Sequence, residues 1–576
     1  MTEAGTAVSV RQSEVDGVRT YWVPSPSQTL RASLLFRIGM SNLTLPNHGR
    51  LHLLEHLALH GRESVSSPSN GEVGLLHTAF NIAGRPEQVV DFFAQLCTWL
   101  ADPHFEDLDH ERRVLAAEEQ QQRADGTLAR HLMWRYGARG AGLAPYQEYG
   151  LHQAGAHDLR TLAQAAFVSG NAVLTLCGEP PADLRLPLRD GRRRPPDVAV
   201  ACEQPLPGGF TDPVNGIGVS GAVTRSTAAT TFARTLHREL QRDIRGRSGM
   251  GYSAWSAYEV VDAETAVIAT GMDILAEGRA GLVGRTQALL RRLAGQGPDA
   301  ADFADDIELT VRQLSDPSAD PWWRAYAAAR ADVLGGDPFD HDEHLNELRR
   351  LSIDDLRQVA GQFHASMLLG VDGGTDHGDL PWLDLQLNGR RIEGGRAHYA
   401  VERPVDRSVL IVGPQQIRLD NGDQWLAADP AEVTAALAYP DGGRVLIRLD
   451  GYRLTVEPSL WRHGQAAVSA IDALIPADRV VAMPARPADL IPKPTVGRRD
   501  RFRYRLQLVV THPAVLAMFA FLVGVTAVDD LAGGYGGYLY FLTLLAGVIA
   551  YRMFQRRRSR PRPAAAPPRW RRRGRG

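Results

Sequence analysis

The chain has 576 residues, 44% hydrophobic and 23% charged, with a formal net charge of −2. This is the composition of globular domains, roughly three to four at this length, and it excludes a charge-dominated disordered chain. Cys97, Cys177 and Cys202 are too few and too odd in number for a disulfide framework. They fit a reducing compartment and read as small buried apolar groups.

The opening MTEAGTAVSVRQSEVDG is polar and has no secretory apolar run. TYWVPSPSQTLRASLLFRIG, residues 20–39, alternates apolar and polar around Ser, Pro and Gly and predicts two strands. RLHLLEHLALHG follows with a helical period and stops at Gly61. Helices are predicted over 86–102 and 110–125, and NAVLTLCGEPP (171–181) predicts a strand running into a turn. A Pro/Arg-rich linker occupies 189–198. The second half predicts a helix near 226–243, strands around 252–261, a helix near 274–294 and further helices to 363. FHASMLLGVDGG (363–374) closes this half as NAVLTLCGEPP closes the first, a weak duplication of shape.

Strand-like segments with NG and DG turns, then the helix LWRHGQAAVSAIDALI, predict a small α+β module within 404–490. It has a faint likeness to a pleckstrin-homology-like domain. Two apolar runs, 506–528 and 533–554, are each long enough to cross a bilayer and are joined by a turn containing Asp529 and Asp530. Arg498, Arg499, Arg501, Arg503 and Arg505 precede them; Arg552 and Arg556 to Arg558 follow. Positive flanks stay in the cytoplasm, so a helical hairpin with both chain ends cytoplasmic is expected. The arginine-rich tail lies directly behind a membrane helix and no folded RNA module is visible, so no nucleic-acid partner is expected.

HGRLHLLEHLALHG places His48, His52, His56 and His60 four residues apart, on one helical face. Histidines eight apart lie about 12 Å apart along the axis and cannot share an ion. Only an adjacent pair can bind, and hydrolysis needs a base beside it. Glu55 stands inside the pair His52/His56 and inside no other, so His52-Leu-Leu-Glu55-His56 is the constellation, the inverted zinc motif H-x-x-E-H. His48 falls at the helix start and His60 beside the capping Gly61, both in structural roles. An open catalytic zinc site needs a third donor. Glu111 and Glu118 are two helical turns apart and share a face, while Glu119 points about 100° away.

VDGVRTYWVPSP, GRLHLLEHLALHG and ERRVLAAEE together resemble the pitrilysin/insulinase family of zinc peptidases. The resemblance covers 10–385. It implies that Glu118 is the third metal ligand, after His52 and His56, and that Glu111 supports the site from behind. It implies Zn2+ as cofactor, Glu55 as the base, and a substrate-binding strand of which Asn70 is the clear match here. A second match, DIRGRSGMGYSAWS, carries Arg245 and Tyr252, which the family uses to grip substrate and stabilise the oxyanion.

The expected fold class is therefore α+β. A zinc-binding peptidase domain (1–190) and a related second domain with the Arg/Tyr pair (199–385) come first. A small module (400–490), a transmembrane hairpin (506–554) and a basic tail (555–576) follow. The expected function is a membrane-anchored zinc endopeptidase cutting peptides or precursor peptides on the cytoplasmic side. Its partners are peptide, bilayer and a second subunit, as homodimer or with a paralogue. The alternative is a catalytically silent peptide-binding subunit of a processing complex.

Overall fold

The computed structural model describes residues 9–62, 65–121, 126–214, 216–243, 251–274, 281–316, 320–336, 339–373, 375, 378–383, 391–422, 424–495, 502, 512 and 515; residues 120, 121 and 251–253 are described by backbone alone. Apart from 512 and 515, the predicted hairpin at 506–554 lies outside the described residues, as do the basic tail and Arg245. Among those described, no helix is long and apolar enough to cross a membrane.

The first half runs β1 (Arg11–Val15), β2 (Val18–Val23), β3 (Leu30–Phe36), α1 (Arg50–Leu59), β4 (Ser69–Val73), β5 (Thr78–Gly84), α2 (Pro86–Ala101), α3 (Leu108–Gln121), α4 (Thr127–Tyr136), α5 (Ala156–Ala166) and β6 (Ala172–Cys177). The β1–β2 turn is Asp16-Gly17, both at positive φ (47° and 79°), the geometry whose twist matches a hairpin. The six strands lie in the order β1-β2-β6-β3-β5-β4, with β2/β6 parallel and the other pairs antiparallel. Leu34, Phe36, Phe80, Leu53, Leu57, Phe93 and Phe167 fill the space between this sheet and the helices α1, α2 and α5. Phe36 and Phe167 meet edge-on at 4.9 Å, a favoured aromatic geometry.

The second half runs β7 (Gly208–Thr211), β8 (Gly216–Thr224), α6 (Thr227–Gln241), β9 (Gly251–Val260), β10 (Thr265–Ile274), α7 (Leu282–Gln296), α8 (Ala300–Leu314), α9 (Trp322–Val333), α10 (His341–Arg350), α11 (Ile353–Ala365) and β11 (Leu368–Val371). Its sheet order is β7-β11-β8-β10-β9, again with one parallel pair, β7/β11. Strand for strand this repeats β2-β6-β3-β5-β4. Helix α9 packs on the first half: Ala328, Ala329 and Val333 lie against Tyr21, Leu35, Ala79 and Val173. With helices on both faces the middle of the first sheet is buried, which is why LRASLLF has a single exposed residue. Asp332 at the end of α9 pairs with Arg19 at 2.9 Å and Arg193 at 2.8 Å, so the charge entering this seam is neutralised.

Beyond these halves come β12 (Arg396–Tyr399), β13 (Val409–Val412), β14 (Ile417–Asp420), β15 (Trp425–Ala428), β16 (Val433–Ala438), β17 (Arg444–Arg448), β18 (Arg453–Val456), α12 (Gly464–Asp472) and β19 (Val480–Ala482). The chain forms two compact units. One comprises 1–391 with 426–456 and 472–486; the other comprises 392–425, 457–471 and 487–576. In the first, the sheet β18-β17-β16-β19 buries Ala435, Leu437, Ile447 and Val481 against Leu45, Leu143, Tyr146 and Tyr149. In the second, β12, β13 and β14 form an antiparallel meander.

Candidate metal centre

Helix α1 is apolar on most of its surface: Leu51, Leu53, Leu54, Leu57 and Ala58 are buried. The partly exposed remainder carries His52 and His56 four residues apart, and their rings meet at 4.9 Å with an interplanar angle of 80°. Glu55 is 5% exposed. Its Oε2 lies 3.9 Å from His52 Nε2 and 3.8 Å from His56 Nε2. His52, Glu55 and His56 form the one cluster of metal-ligand type found among the described residues.

The outward nitrogens are tied down. His52 Nδ1 donates to Glu148 at 3.0 Å, and His56 Nδ1 donates to Glu111 at 3.1 Å. A carboxylate only accepts, so each Nδ1 holds the ring proton and each Nε2 keeps its lone pair toward Glu55. Carboxylates that orient histidines in this way are what a zinc site uses around its ligands. The donor set fits Zn2+: two imidazole nitrogens, and Glu118 from α3 with its Oε2 3.8 Å from His56 Nε2.

Glu111 and Glu118 are thus brought to one end of the site by the two-turn register of α3. Glu119 is turned aside and accepts the backbone N–H of Glu148 at 3.0 Å. His60 caps α1 and donates to the second oxygen of Glu111 at 2.6 Å. His48 lies before the helix and is 4% exposed, with burial pushing its pKa down.

Burial, followed by the charges of His56 and His52 that oppose it and of Glu118 and Glu111 that assist it, raises the Glu55 pKa above the ordinary carboxylate value. Burial opposes protonation of His52, but its bond to Glu148 and the charges of Glu148, Glu55 and Glu118 together outweigh burial and raise its pKa. Burial would raise the Glu148 pKa, yet the same bond and the charges of His52, His48 and His56 together hold it below normal.

Strand β4 closes the site. A Cβ on Gly71 would lie 1.9 Å from Glu55 Oε1, so only glycine lets the strand come this close. The resemblance implied a strand here with Asn70 as its match, and β4 spans that residue. Asn70 is exposed on β4 opposite Asn81 of β5. Tyr252 lies in β9, in the other sheet, with its side chain outside the described atoms.

Sequence reasoning missed Glu148, which lies 96 residues from its partner His52. Gly49 was its only signal. Gly49 has φ 93°, and a Cβ there would meet Glu148 Cβ at 2.5 Å.

No protein-family model and no curated protein matches the chain. Solved structures do. An inactive domain of a peptidase M16 from Pseudomonas fluorescens is 14% identical, with TM-score 0.51 over 63% of this chain and 97% of that one. A protease from Helicobacter pylori is also 14% identical, with TM-score 0.51 over 63% of this chain and 99% of that one. Pitrilysin is 12% identical, with TM-score 0.51 over 64% of this chain and 46% of its own. The mixed α/β fold is therefore that of M16 peptidase-like domains.

Proposed function

We propose that the protein is a zinc-dependent endopeptidase whose centre is His52, His56 and Glu118, with Glu55 as base. The observation that carries this reading is the geometry of α1. Two imidazole Nε2 atoms and one Glu55 oxygen face a common point, and both Nδ1 atoms are spent on carboxylates. Zn2+ held by His52, His56 and Glu118 supplies a Lewis acid there, which polarises a carbonyl and acidifies water. Glu55 takes the proton from the attacking water at Oε2 and returns it to the leaving amine. Its raised pKa suits both halves of that transfer. The peptide pairs with the outer edge of β4, the last strand of its sheet among the described residues, where Asn70 is exposed.

Arg245 and Tyr252 grip the substrate and stabilise the oxyanion. The pair acts from a second subunit, as the resemblance implies; the match covers 46% of pitrilysin. The assembly is a homodimer or includes a paralogue. Residues 506–554 anchor the protein in the membrane as a hairpin, with the catalytic part and the C-terminus cytoplasmic.

Metal analysis of the purified protein, paired with hydrolysis of unstructured peptides, is the deciding experiment. About one zinc per chain, with Glu55→Gln keeping zinc and losing hydrolysis, is expected. Zinc without hydrolysis in any partner combination would favour the alternative of a peptide-binding subunit, and one similar structure is an inactive domain. For the dimer, Glu55→Gln and Tyr252→Phe chains should regain activity when mixed. No recovery despite subunit exchange would mean that each site is completed within one chain. Reporter fusions at residue 490, in the 529–532 turn and at the C-terminus test the orientation: the outer two should read cytoplasmic.

A further inference from the structure

The sheet β18-β17-β16-β19 adds to the duplicated halves, and besides Leu45 and Ala138 it packs on one short segment. Residues 143–153 carry Glu148, the carboxylate that orients His52. On either side of Glu148, Tyr146 and Tyr149 are 5% and 2% exposed, in one buried cluster with Ala435, Leu437, Ile447 and Val481 of the sheet. Tyr146 OH donates to Gly451 O at 3.4 Å, and the Arg453 guanidinium lies 5.3 Å from the centre of its ring. The Gln153 side-chain amide donates to Val480 O at 3.3 Å and accepts from Ala482 N at 3.2 Å. The other side of the segment is laced to the start of α1: Gly150 N donates to His48 O at 2.8 Å. Glu148 is held between the small sheet and the metal-binding helix, with Glu119 of α3 on its backbone N–H.

We propose that the β16–β19 sheet is a positioning device for the metal centre: it fixes the segment bearing Glu148, and through Glu148 it fixes the ring of His52. Its effect reaches the centre as metal affinity, because a carboxylate clamped against Nδ1 holds the ring in its ligating orientation and tautomer. The inference rests on the zinc reading, and the experiment separates the two.

Zinc affinity of the full-length protein is measured by competition with a chromophoric chelator, so no turnover is needed. Glu148→Ala should weaken binding about 10–100-fold. Gln153→Ala severs both bonds to β19 without opening a core, and Leu437→Ala loosens the shared cluster. Each should weaken zinc by about threefold to tenfold in the wild-type background and by nothing further in the Glu148→Ala background, since both act through the same carboxylate. Equal losses in the two backgrounds would overturn the proposal, as would an unchanged affinity in Gln153→Ala. If Leu437→Ala fails to fold, the Gln153 cycle decides alone. A wild-type protein that binds no zinc would instead overturn the zinc reading itself.

Discussion

The two halves of 1–391 share a strand order and a helix order, yet among the described residues only the first builds a metal-type cluster. In the first half, α1 and α3 meet through His56 and His60 on one side and Glu111 and Glu118 on the other, beside His52 and Glu55. In the second half the corresponding helices, α6 and α8, meet through opposite charges. Arg234 and Arg238 reach Asp306 at 3.4 and 2.7 Å, and Arg242 pairs with Asp302. Arg292 of α7 adds a bond to Glu239 at 2.6 Å. Guanidinium groups never give up their charge at ordinary pH and offer no lone pair, so this seam is self-neutralising and cannot hold a cation. The same backbone frame carries a metal-type cluster in one copy and ion pairs in the other, and side chains alone decide which.

The largest test of that difference is metal loss. His52→Ala, His56→Ala or Glu118→Ala should empty the centre, while Arg238→Ala in the second half should leave zinc unchanged; zinc content reads both. Glu119→Ala should keep the metal. Equal loss from Glu118→Ala and Glu119→Ala would break the register argument.

Next in size is the support behind the histidines. Glu111→Ala should weaken zinc by about 10–100-fold without abolishing it. A competition titration gives the ratio, and total loss would make Glu111 itself a ligand.

The cohesive seam should respond in stability alone. Asp306 is 5% exposed and serves two arginines that are about half-exposed. Asp306→Ala should cost about 1–2 kcal/mol in a urea titration, because the arginines regain water. Any loss of zinc in this variant would blur the division of labour between the halves.

The smallest effect concerns the junction of the halves. His131 of α4 is fully buried, its Nδ1 2.9 Å from Ser220 Oγ of β8. Burial, aided by Arg135 and Arg130, pushes its pKa down to about 3 from an unfolded value of 6.5. The folded state therefore binds its proton less readily than the unfolded state does. The stability it contributes is complete above pH 6.5 and is lost as pH falls from there toward 3. From pH 6.5 to 5.5 this group should cost about 1 kcal/mol. His131→Gln should flatten the melting temperature over that range relative to the native chain; an equal slope in both would assign the acid sensitivity elsewhere.

The chain's own order of residues determined what lies within one helix. Spacing by four put His52 and His56 on one face with Glu55 between them, and spacing by seven aligned Glu111 with Glu118. Helical geometry is local and fixed, so these positions follow from residue number alone. The repeat of strand order was only faintly legible, because the halves share no obvious residue identity and pairing partners are distant. Tertiary structure decided the rest. Glu148 reaches His52 across 96 residues, β4 approaches Glu55 only because residue 71 is glycine, and the late strands β16 to β19 return to pack under Tyr146 and Tyr149. Such contacts depend on how separate elements close around a shared core, and no periodicity along the chain records that closure.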